Sequence, residues 1–288
     1  MSILQPVKEA VRWSLGFPAR RALRLGRPVN VEGIRLCMNP EDRYAIRLTH
    51  WSRKGDSLLR RVRETIARYP ECLLMDVGAN YGLYAISGAL VQRGIGRTVA
   101  VEPSPRTRRY LRKNVQLNGV SHKIAVADVA LGEVECEQHI FTNGFSGGDS
   151  LAEATTTIPG CHPAADLGAV RVVRGDTLLD ELQLSVEQTL VLKIDVQGYE
   201  VQVLRGLRQH LALHPRVICF CEVSPALMRL IGMDPLDMWR ALPEGSEVRV
   251  SGASKVLCLG SFSRLVQDLQ ARNDCVDLEI RREVTELR

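Results

Sequence analysis

Short apolar segments alternate with helix-like segments along the chain from residue 72 onward. Helical spacing appears at 83–93, 106–117 and 200–213, and the apolar segments lack the polar–apolar alternation of a half-exposed strand. Strands that are covered on both faces have this pattern, so it predicts an α/β fold with a mostly parallel sheet and helices on both faces. The predicted strands are 72–77, 98–102, 123–127, 190–196 and 217–223.

Further elements flank this region. Apolar residues at helical spacing predict a helix over 3–15 and another over 58–69. After the main region, 247–250 and 255–259 predict an antiparallel edge of the sheet, and 263–272 predicts a helix. We therefore expect three parts. They are an N-terminal basic amphipathic arm with lead-in elements (1–70), the main domain (71–260) and a C-terminal extension (261–288).

The regular alternation breaks down over residues 133–189. Turn-forming residues cluster at 142–150 and at 159–168, where a plain doubly wound fold needs only one helix. A long irregular segment inside a compact α/β domain is usually a lid or a binding loop. We therefore expect this excursion to cover the substrate side of the site, with the glycine-rich segment Gly144–Gly148 as its moving part.

The formal net charge of +5 is carried by the first 35 residues, and the remainder of the chain balances to zero. A nucleic-acid enzyme usually places its basic surface around the active site, so this distribution disfavours a nucleic-acid partner. A basic arm with one apolar side suits peripheral contact with an anionic membrane. Packing on the domain and a homodimer contact explain the same pattern, and the three alternatives stay open.

Apolar runs and cysteines indicate the compartment. No uncharged apolar run is long enough for a transmembrane helix, and charged residues interrupt the apolar stretch at the N-terminus, where a secretory signal would be continuous. The eight cysteines form no C-x-x-C pair, and several lie in apolar runs. They are typical of reduced thiols, so we expect a cytoplasmic protein.

A glycine loop follows the first predicted strand of the main domain. Its G-x-x-x-G spacing differs from the G-x-G-x-x-G of a dinucleotide site, and an acid, Asp76, precedes it. Glycines let the backbone turn sharply and approach a ligand closely, and the acid suits a cationic amino-acid ligand. The loop therefore favours S-adenosylmethionine over a nicotinamide dinucleotide or an unliganded turn. The residues expected to contact this cofactor are Asp76, Gly78, Ala79, Asn80 and Gly82.

Acidic residues follow the next two predicted strands. Glu102 ends the second strand, 20 residues after Gly82, and a carboxylate there can accept hydrogen bonds from both ribose hydroxyls. Asp128 and the neighbouring Val129 follow the third strand, at the depth where the adenine amino group is expected. An aspartate at a strand end is also an ordinary cap, so the assignment of Asp128 has a structural alternative.

A second conspicuous motif runs through the fourth predicted strand as Leu192-Lys193-Ile194-Asp195-Val196-Gln197-Gly198-Tyr199-Glu200. Strand alternation places Lys193 and Asp195 on one side. A lysine in an apolar strand needs a partner, and Asp76 and Glu222 on the neighbouring strands are candidates. The motif is then either a structural ion-pair cluster or the substrate side of the cofactor pocket, with Asp195 lining it.

These motifs together resemble the FkbM family of methyltransferases over about residues 70–225. The resemblance implies a class I, Rossmann-like methyltransferase fold that binds S-adenosylmethionine and methylates an oxygen, usually a hydroxyl of a sugar, glycolipid or other secondary metabolite. The family's Asp-Val-Glu-Gly reads Asp-Val-Gln-Gly at 195–198. The matching stretches are DVGANYGLYA (76–85), VEPSPRTRRYLRKNVQLNG (101–119), ALG (130–132), DSL (149–151), DTLLDEL (176–182), LKIDVQGYEVQVLRG (192–206) and RVICFCEVSP (216–225).

Methyl transfer to a hydroxyl needs the oxygen aligned with the methyl group, and a general base assists it. Asp195 is the first candidate for a base or substrate orienter, followed by Glu222 and Glu200. No tight ligand cluster in the sequence calls for a metal. A small-molecule or glycan acceptor is expected. The alternatives are a catalytically silent, methyltransferase-like partner subunit and an oxidoreductase with a variant dinucleotide loop.

Overall fold

The computed structural model describes residues 17–51, 56–156 and 164–283. The helix predicted over 3–15 lies outside these residues. No helix within the described ranges is both long and apolar enough to cross a membrane.

The strands and helices follow in chain order. The strands are β1 (Val29–Val31), β2 (Ile34–Leu36), β3 (Leu73–Val77), β4 (Arg97–Val101), β5 (Ile124–Ala127), β6 (Ala130–Leu131), β7 (Cys136–Thr142), β8 (Ala165–Val173), β9 (Leu190–Ile194), β10 (Arg216–Val223), β11 (Glu247–Val250), β12 (Val256–Leu257) and β13 (Val276–Glu283). The helices are α1 (Phe17–Arg24), α2 (Arg43–Trp51), α3 (Ser57–Arg68), α4 (Leu83–Val91), α5 (Pro105–Leu117), α6 (Glu153–Thr156), α7 (Gly175–Glu181), α8 (Glu200–Gly206), α9 (Arg208–Leu213), α10 (Pro225–Leu230), α11 (Asp237–Ala241) and α12 (Leu259–Arg272).

The central sheet has the order β12-β11-β13-β10-β9-β3-β4-β5. The five neighbouring strands β10, β9, β3, β4 and β5 run parallel to one another. They are the five strands that the sequence predicts. From β3 the chain winds outward through β4 and β5, and it then returns to the other side of β3 as β9. Such a reversal of the strand order leaves a crevice at the carboxyl ends of the strands, where ligands bind in this class of fold.

Alternate residues of the parallel strands pack on opposite faces of the sheet. Met75 of β3 and Leu192 of β9 belong to a core that includes α7 to α12. Their neighbours Leu74 and Val191 pack on the other face with Ile66 of α3. Both faces of the sheet are therefore covered by helices, as the unbroken apolar runs predict.

The antiparallel edge is larger than the sequence indicates. The predicted pair β11–β12 is confirmed, but β13, from the segment assigned to a C-terminal extension, lies between β10 and β11 inside the sheet. Its charged residues obscure the strand pattern. Leu278 and Ile280 face the core, while Glu279 between them is buried and paired with Arg61 and Arg281.

The excursion forms a sheet of its own. Strands β7 and β8 make an antiparallel hairpin, and the short β6 pairs with β8. A single turn of 3₁₀-helix over Ser146–Gly148 follows β7, and Phe141 and Ser150 close that loop with two backbone hydrogen bonds. Residues 157–163 of the excursion lie outside the described ranges. The hairpin and its loop stand at the carboxyl ends of the parallel strands, above the crevice.

Replacing Leu278 tests whether β13 is integral to the sheet. Leu278 is fully buried, so Leu278→Ala should lower the free energy of unfolding by about 2–5 kcal/mol. Leu230→Ala makes the same change at a side chain that is 55% exposed, and the loss should stay within about 0.5 kcal/mol. Urea denaturation measures both values. Equal stability of the two variants would mean that β13 contributes little to the fold.

Candidate functional site

A cavity lies at the carboxyl ends of β3, β4 and β9, where the strand order reverses. The glycine loop after β3 forms its floor, the excursion covers it, and α2 from the N-terminal part of the chain closes one side. Its main polar lining groups are Tyr44, Asn80, Glu102, Asp149, Lys193 and Asp195.

Lys193 is the charged centre of the site. Its ammonium Nζ donates to the carbonyl of Gly78 at 3.3 Å and lies 3.5 Å from Asp195 Oδ2 and 3.7 Å from Asp76 Oδ1. The ring of Tyr84 faces it with its centroid 5.0 Å away. Burial opposes the positive charge, but the two carboxylates raise the pKa of Lys193 above its usual value, so it stays protonated.

Asp195 is the partly open member of this cluster. Its side chain is 37% exposed, whereas Asp76 is fully buried. Lys193 holds one carboxylate oxygen, and the amide of Gln197 donates to the other at 2.7 Å. The partners that the sequence proposes for the lysine are therefore present, and Asp195 itself lines the cavity.

The other two candidate acids lie behind the cavity wall. Glu200 is buried and accepts hydrogen bonds from the backbone N–H groups of Val196 and Gly198, so it shapes the loop after β9. Burial raises its pKa to about 7. Glu222 accepts from Gln197 at 3.4 Å but does not line the cavity. Their assignment as base or substrate orienter stays a prediction.

Glu222 belongs to a group of carboxyls that repel one another. The negative charge of Asp195, followed by burial, raises the pKa of Glu222 to about 8. Asp277 lies opposite it on β13, and burial together with Asp195 raises the pKa of that carboxyl to about 6. Glu222 and Asp277 therefore hold their protons to higher pH than free carboxyls do, because their ionised forms would lie close to the negative charge of Asp195.

The glycine loop is set by contacts at both of its ends. Asp76 accepts a hydrogen bond from the N–H of Ala85 at 2.9 Å and fixes the start of α4, but it does not line the cavity. Gly78 has φ of +79°, and a Cβ there would stand 2.1 Å from the carbonyl oxygen of Asp195. The close approach of β3 and β9 therefore requires a glycine. Gly78 and Ala79 line the cavity, whereas Gly82 is buried and lies outside its lining.

Glu102 is buried at the end of β4 and lines the cavity. Its Oε1 accepts from the N–H of Ser104 and from the hydroxyl of Thr107, both at 2.9 Å, and its Oε2 accepts from the N–H of Asn80 at 2.7 Å. Burial raises its pKa, which these three hydrogen bonds oppose. Glu102 thus ties the glycine loop to the start of α5.

The two residues predicted to reach the adenine lie outside the cavity. The Asp128 side chain is more than half exposed, and its carboxylate lies 3.6 Å from the guanidinium of Arg112. Val129 is buried in the main core. Neither is among the lining residues, and their role in cofactor binding stays a prediction.

The excursion is held down on the glycine loop through Asn80 and Asp42. The Asn80 amide donates to the carbonyl of Ser146 at 2.9 Å and to its hydroxyl at 3.1 Å. Asp42 accepts from the N–H of Ser146 at 3.1 Å and from the hydroxyl of Tyr81 at 2.5 Å. In this arrangement the 3₁₀ turn is closed over the site.

Sequence reasoning missed three residues of this site. Asp42 and Tyr44 come from the lead-in region, which carries no motif, and the Tyr44 ring stacks on Tyr81 with centroids 6.4 Å apart. Burial raises the pKa of Tyr44, so it stays protonated. Asp149 belongs to the family-like stretch DSL, which was the one available signal for it.

Comparison with known proteins gives a family match, a curated relative and many solved structures of similar fold. A profile described as the Methyltransferase FkbM domain matches residues 76–247. The hexuronic acid methyltransferase AglP of Haloferax volcanii is 26% identical over 174 residues, which are 60% of this chain and 62% of AglP. The chain therefore spans less than two thirds of the length of this relative.

Solved structures resemble the fold only loosely. The O-methyltransferase TomG from Streptomyces achromogenes, in complex with SAM, has 10% identity and a TM-score of 0.41, with 80% of this chain and 81% of TomG covered. The O-methyltransferase from Bacillus cereus, in complex with SAH, has 10% identity and a TM-score of 0.43, with 79% and 80% covered. Similarity at this level does not bear on the choice of substrate.

The carboxyl cluster should make stability depend on pH. Glu222 has a pKa of about 8 in the folded protein but about 4.3 in an unfolded chain. Its contribution to stability is therefore complete below the unfolded pKa and is lost as pH rises through the folded pKa. From pH 5.5 to 8.5 the wild type should lose about 1–3 kcal/mol more unfolding free energy than Glu222→Gln.

Urea denaturation at several pH values measures this difference. Glu181→Gln, at an exposed glutamate of α7, is the matched control and should keep the wild-type dependence. If Glu222→Gln follows the wild-type curve as well, the carboxyl repulsion does not reach Glu222.

Proposed function

The chain belongs to the FkbM family of methyltransferases, and from this premise we propose that it methylates an oxygen, most simply a hydroxyl of a sugar, glycoconjugate or secondary metabolite. Family membership makes it a methyltransferase that uses S-adenosylmethionine. The open points are the acceptor and the group that receives its proton.

The residues of the cavity fit S-adenosylmethionine. The cofactor supplies a methyl group on a sulfonium, which an oxygen nucleophile displaces directly. The glycine loop offers backbone groups at the carboxyl end of β3, and Glu102 places a hydrogen-bond acceptor at the end of β4. Both buried oxygens of Asp149 lack a hydrogen-bond partner within the described residues, as expected of a polar group that serves a ligand.

One observation carries the proposal of a base-assisted reaction. Asp195 is the carboxylate of the Lys193 cluster that opens into the cavity, and its Oδ2 lies 3.5 Å from the lysine ammonium. A partly exposed carboxylate in this position can accept the proton of an acceptor hydroxyl, and general-base assistance is worth roughly 10²–10⁴-fold in rate. Gln197 holds the other oxygen and so orients the group.

The acceptor is proposed to be a small molecule or a glycan. The named relative acts on a hexuronic acid, and this supports a sugar substrate for the present chain. The seven cysteines in the described ranges are free thiols, which supports a cytoplasmic location. A role of the basic arm at a membrane or in a homodimer remains a proposal, since residues 1–16 lie outside the described ranges.

Deleting the gene should remove an O-methyl group from a sugar-containing metabolite, detected by mass spectrometry of cell extracts. The wild-type gene should restore it. Asp195→Asn should fold and bind adenosylhomocysteine but lower turnover on that acceptor by about 10²-fold or more. Asp277→Asn, at a nearby carboxylate that does not line the cavity, is the matched control and should stay active.

Three outcomes would contradict parts of this proposal. Loss of a methyl group from nitrogen or carbon would exclude O-methylation. If the protein binds adenosylhomocysteine but deleting its gene removes no methylated product, the silent partner subunit is favoured. Full turnover by Asp195→Asn would exclude this residue as the base.

Gly78→Ala should abolish cofactor binding because the added Cβ collides with the backbone of Asp195. A ligand that binds only the folded state adds about 2.7 kcal/mol of stability at a hundredfold excess over its Kd. Thermal denaturation with adenosylhomocysteine should show this gain in the wild type and not in the variant. Gly119→Ala is the matched control, since Gly119 has a similar φ of +70° with nothing within 4 Å, and it should keep the gain.

A further inference from the structure

The hydrogen-bonding capacity of Glu102 is nearly used up by the protein itself. A carboxylate oxygen has two lone pairs. Both lone pairs of Oε1 are taken by Ser104 and Thr107, and one of Oε2 is taken by the N–H of Asn80. Glu102 can therefore accept one further hydrogen bond, whereas the ribose of S-adenosylmethionine has two hydroxyls to donate. The expectation that Glu102 accepts from both ribose hydroxyls stays a prediction, and this count leaves one hydroxyl for another acceptor.

A second carboxylate with unused capacity lines the same cavity. Both oxygens of Asp149 are buried and make no well-formed hydrogen bond within the described residues, although the hydroxyls of Ser104 and Thr142 lie near them. Its neighbours Ser104 and Arg106 also carry buried polar atoms without partners, Oγ in the first and Nε and Nη2 in the second. Buried polar groups are almost always satisfied, and each exception costs roughly 1–3 kcal/mol. Of these groups only Asp149 lines the cavity, so its carboxylate is the one placed to accept a hydrogen bond from a ligand there.

Asp149 stands beside Glu102 in the folded chain. Burial raises its pKa to about 7, and the charge of Glu102 adds to this effect, while Arg106 and the hydroxyls of Ser104 and Thr142 oppose it. Its backbone is fixed, since its N–H donates to the carbonyl of Ser146 in the 3₁₀ turn. The carboxylate is thus carried by the part of the excursion that covers the site.

We propose that Asp149 accepts a hydrogen bond from one ribose hydroxyl of S-adenosylmethionine, while Glu102 accepts from the other. This division gives each hydroxyl its own carboxylate. It also means that the excursion contributes to the cofactor site, in addition to covering the acceptor. The inference rests on the family's cofactor and is independent of which acceptor is methylated.

Calorimetric titration with adenosylhomocysteine and with its 2′-deoxy and 3′-deoxy forms tests the proposal. Asp149→Ala should bind adenosylhomocysteine about ten- to a hundredfold more weakly than the wild type, because a hydrogen bond to a charged group is lost. One deoxy form should bind the wild type and Asp149→Ala with nearly equal affinity, since the partner hydroxyl is already absent. The other deoxy form should show the same behaviour with Glu102→Gln.

Stability of the free protein separates this role from a structural one. Removing a buried carboxylate that makes no well-formed hydrogen bond within the described residues should leave the melting temperature of free Asp149→Ala equal to or above that of the wild type. Asp166→Asn is the matched control, because Asp166 is an exposed carboxylate on β8 of the same excursion, paired with His139. It should match the wild type in all titrations.

The outcomes are distinct. Wild-type affinity of Asp149→Ala for adenosylhomocysteine would overturn the proposal, and so would an equal loss of affinity for all three ligands. A lowered melting temperature of the free variant would assign Asp149 a structural role instead. Failure of the wild type to bind adenosylhomocysteine at all would contradict the cofactor itself and not the role of Asp149 alone.

Discussion

The ammonium group of Lys193 lies within 4 Å of two carboxylates and donates to the carbonyl of Gly78, and the rest of the site is arranged around it. A buried charge without partners is prohibitively costly, so β3 and β9 must bring Asp76 and Asp195 to it. Asp76 in turn holds the start of α4. One ion cluster therefore joins the central strands, the glycine loop and the acid that opens into the cavity.

The cover of the site depends on parts of the chain that are far apart in sequence. Asp42 of the lead-in region holds both Tyr81 below the loop and Ser146 in the excursion, and Asn80 adds two hydrogen bonds to Ser146. The same 3₁₀ turn that these groups hold also carries Asp149. Opening the cover would therefore separate Asp149 from Glu102, and under the ribose contact proposed above this would couple access to the cavity with cofactor binding.

Negative charge collects at the carboxyl ends of the parallel strands, and its distribution decides the state of each acid. Lys193 lies beside Asp195, whereas the negative charge of Asp195 repels the ionised forms of Glu222 and Asp277. The pKa values of Glu222 and Asp277 are therefore raised, so these two acids keep their protons to higher pH than free carboxyls do.

The sequence by itself determined the parallel sheet, the glycine loop and the Lys193–Asp195 motif, because apolar runs and short motifs are local. It could not show that β13 lies inside the sheet, since a strand with paired, buried charges such as Glu279 has no apolar pattern. Nor could it divide the acids into those in the cavity and those behind it. Which acids line the cavity, and the placement of Asp149 beside Glu102, depend on contacts between segments that are distant in sequence. Only the tertiary structure brings these segments together.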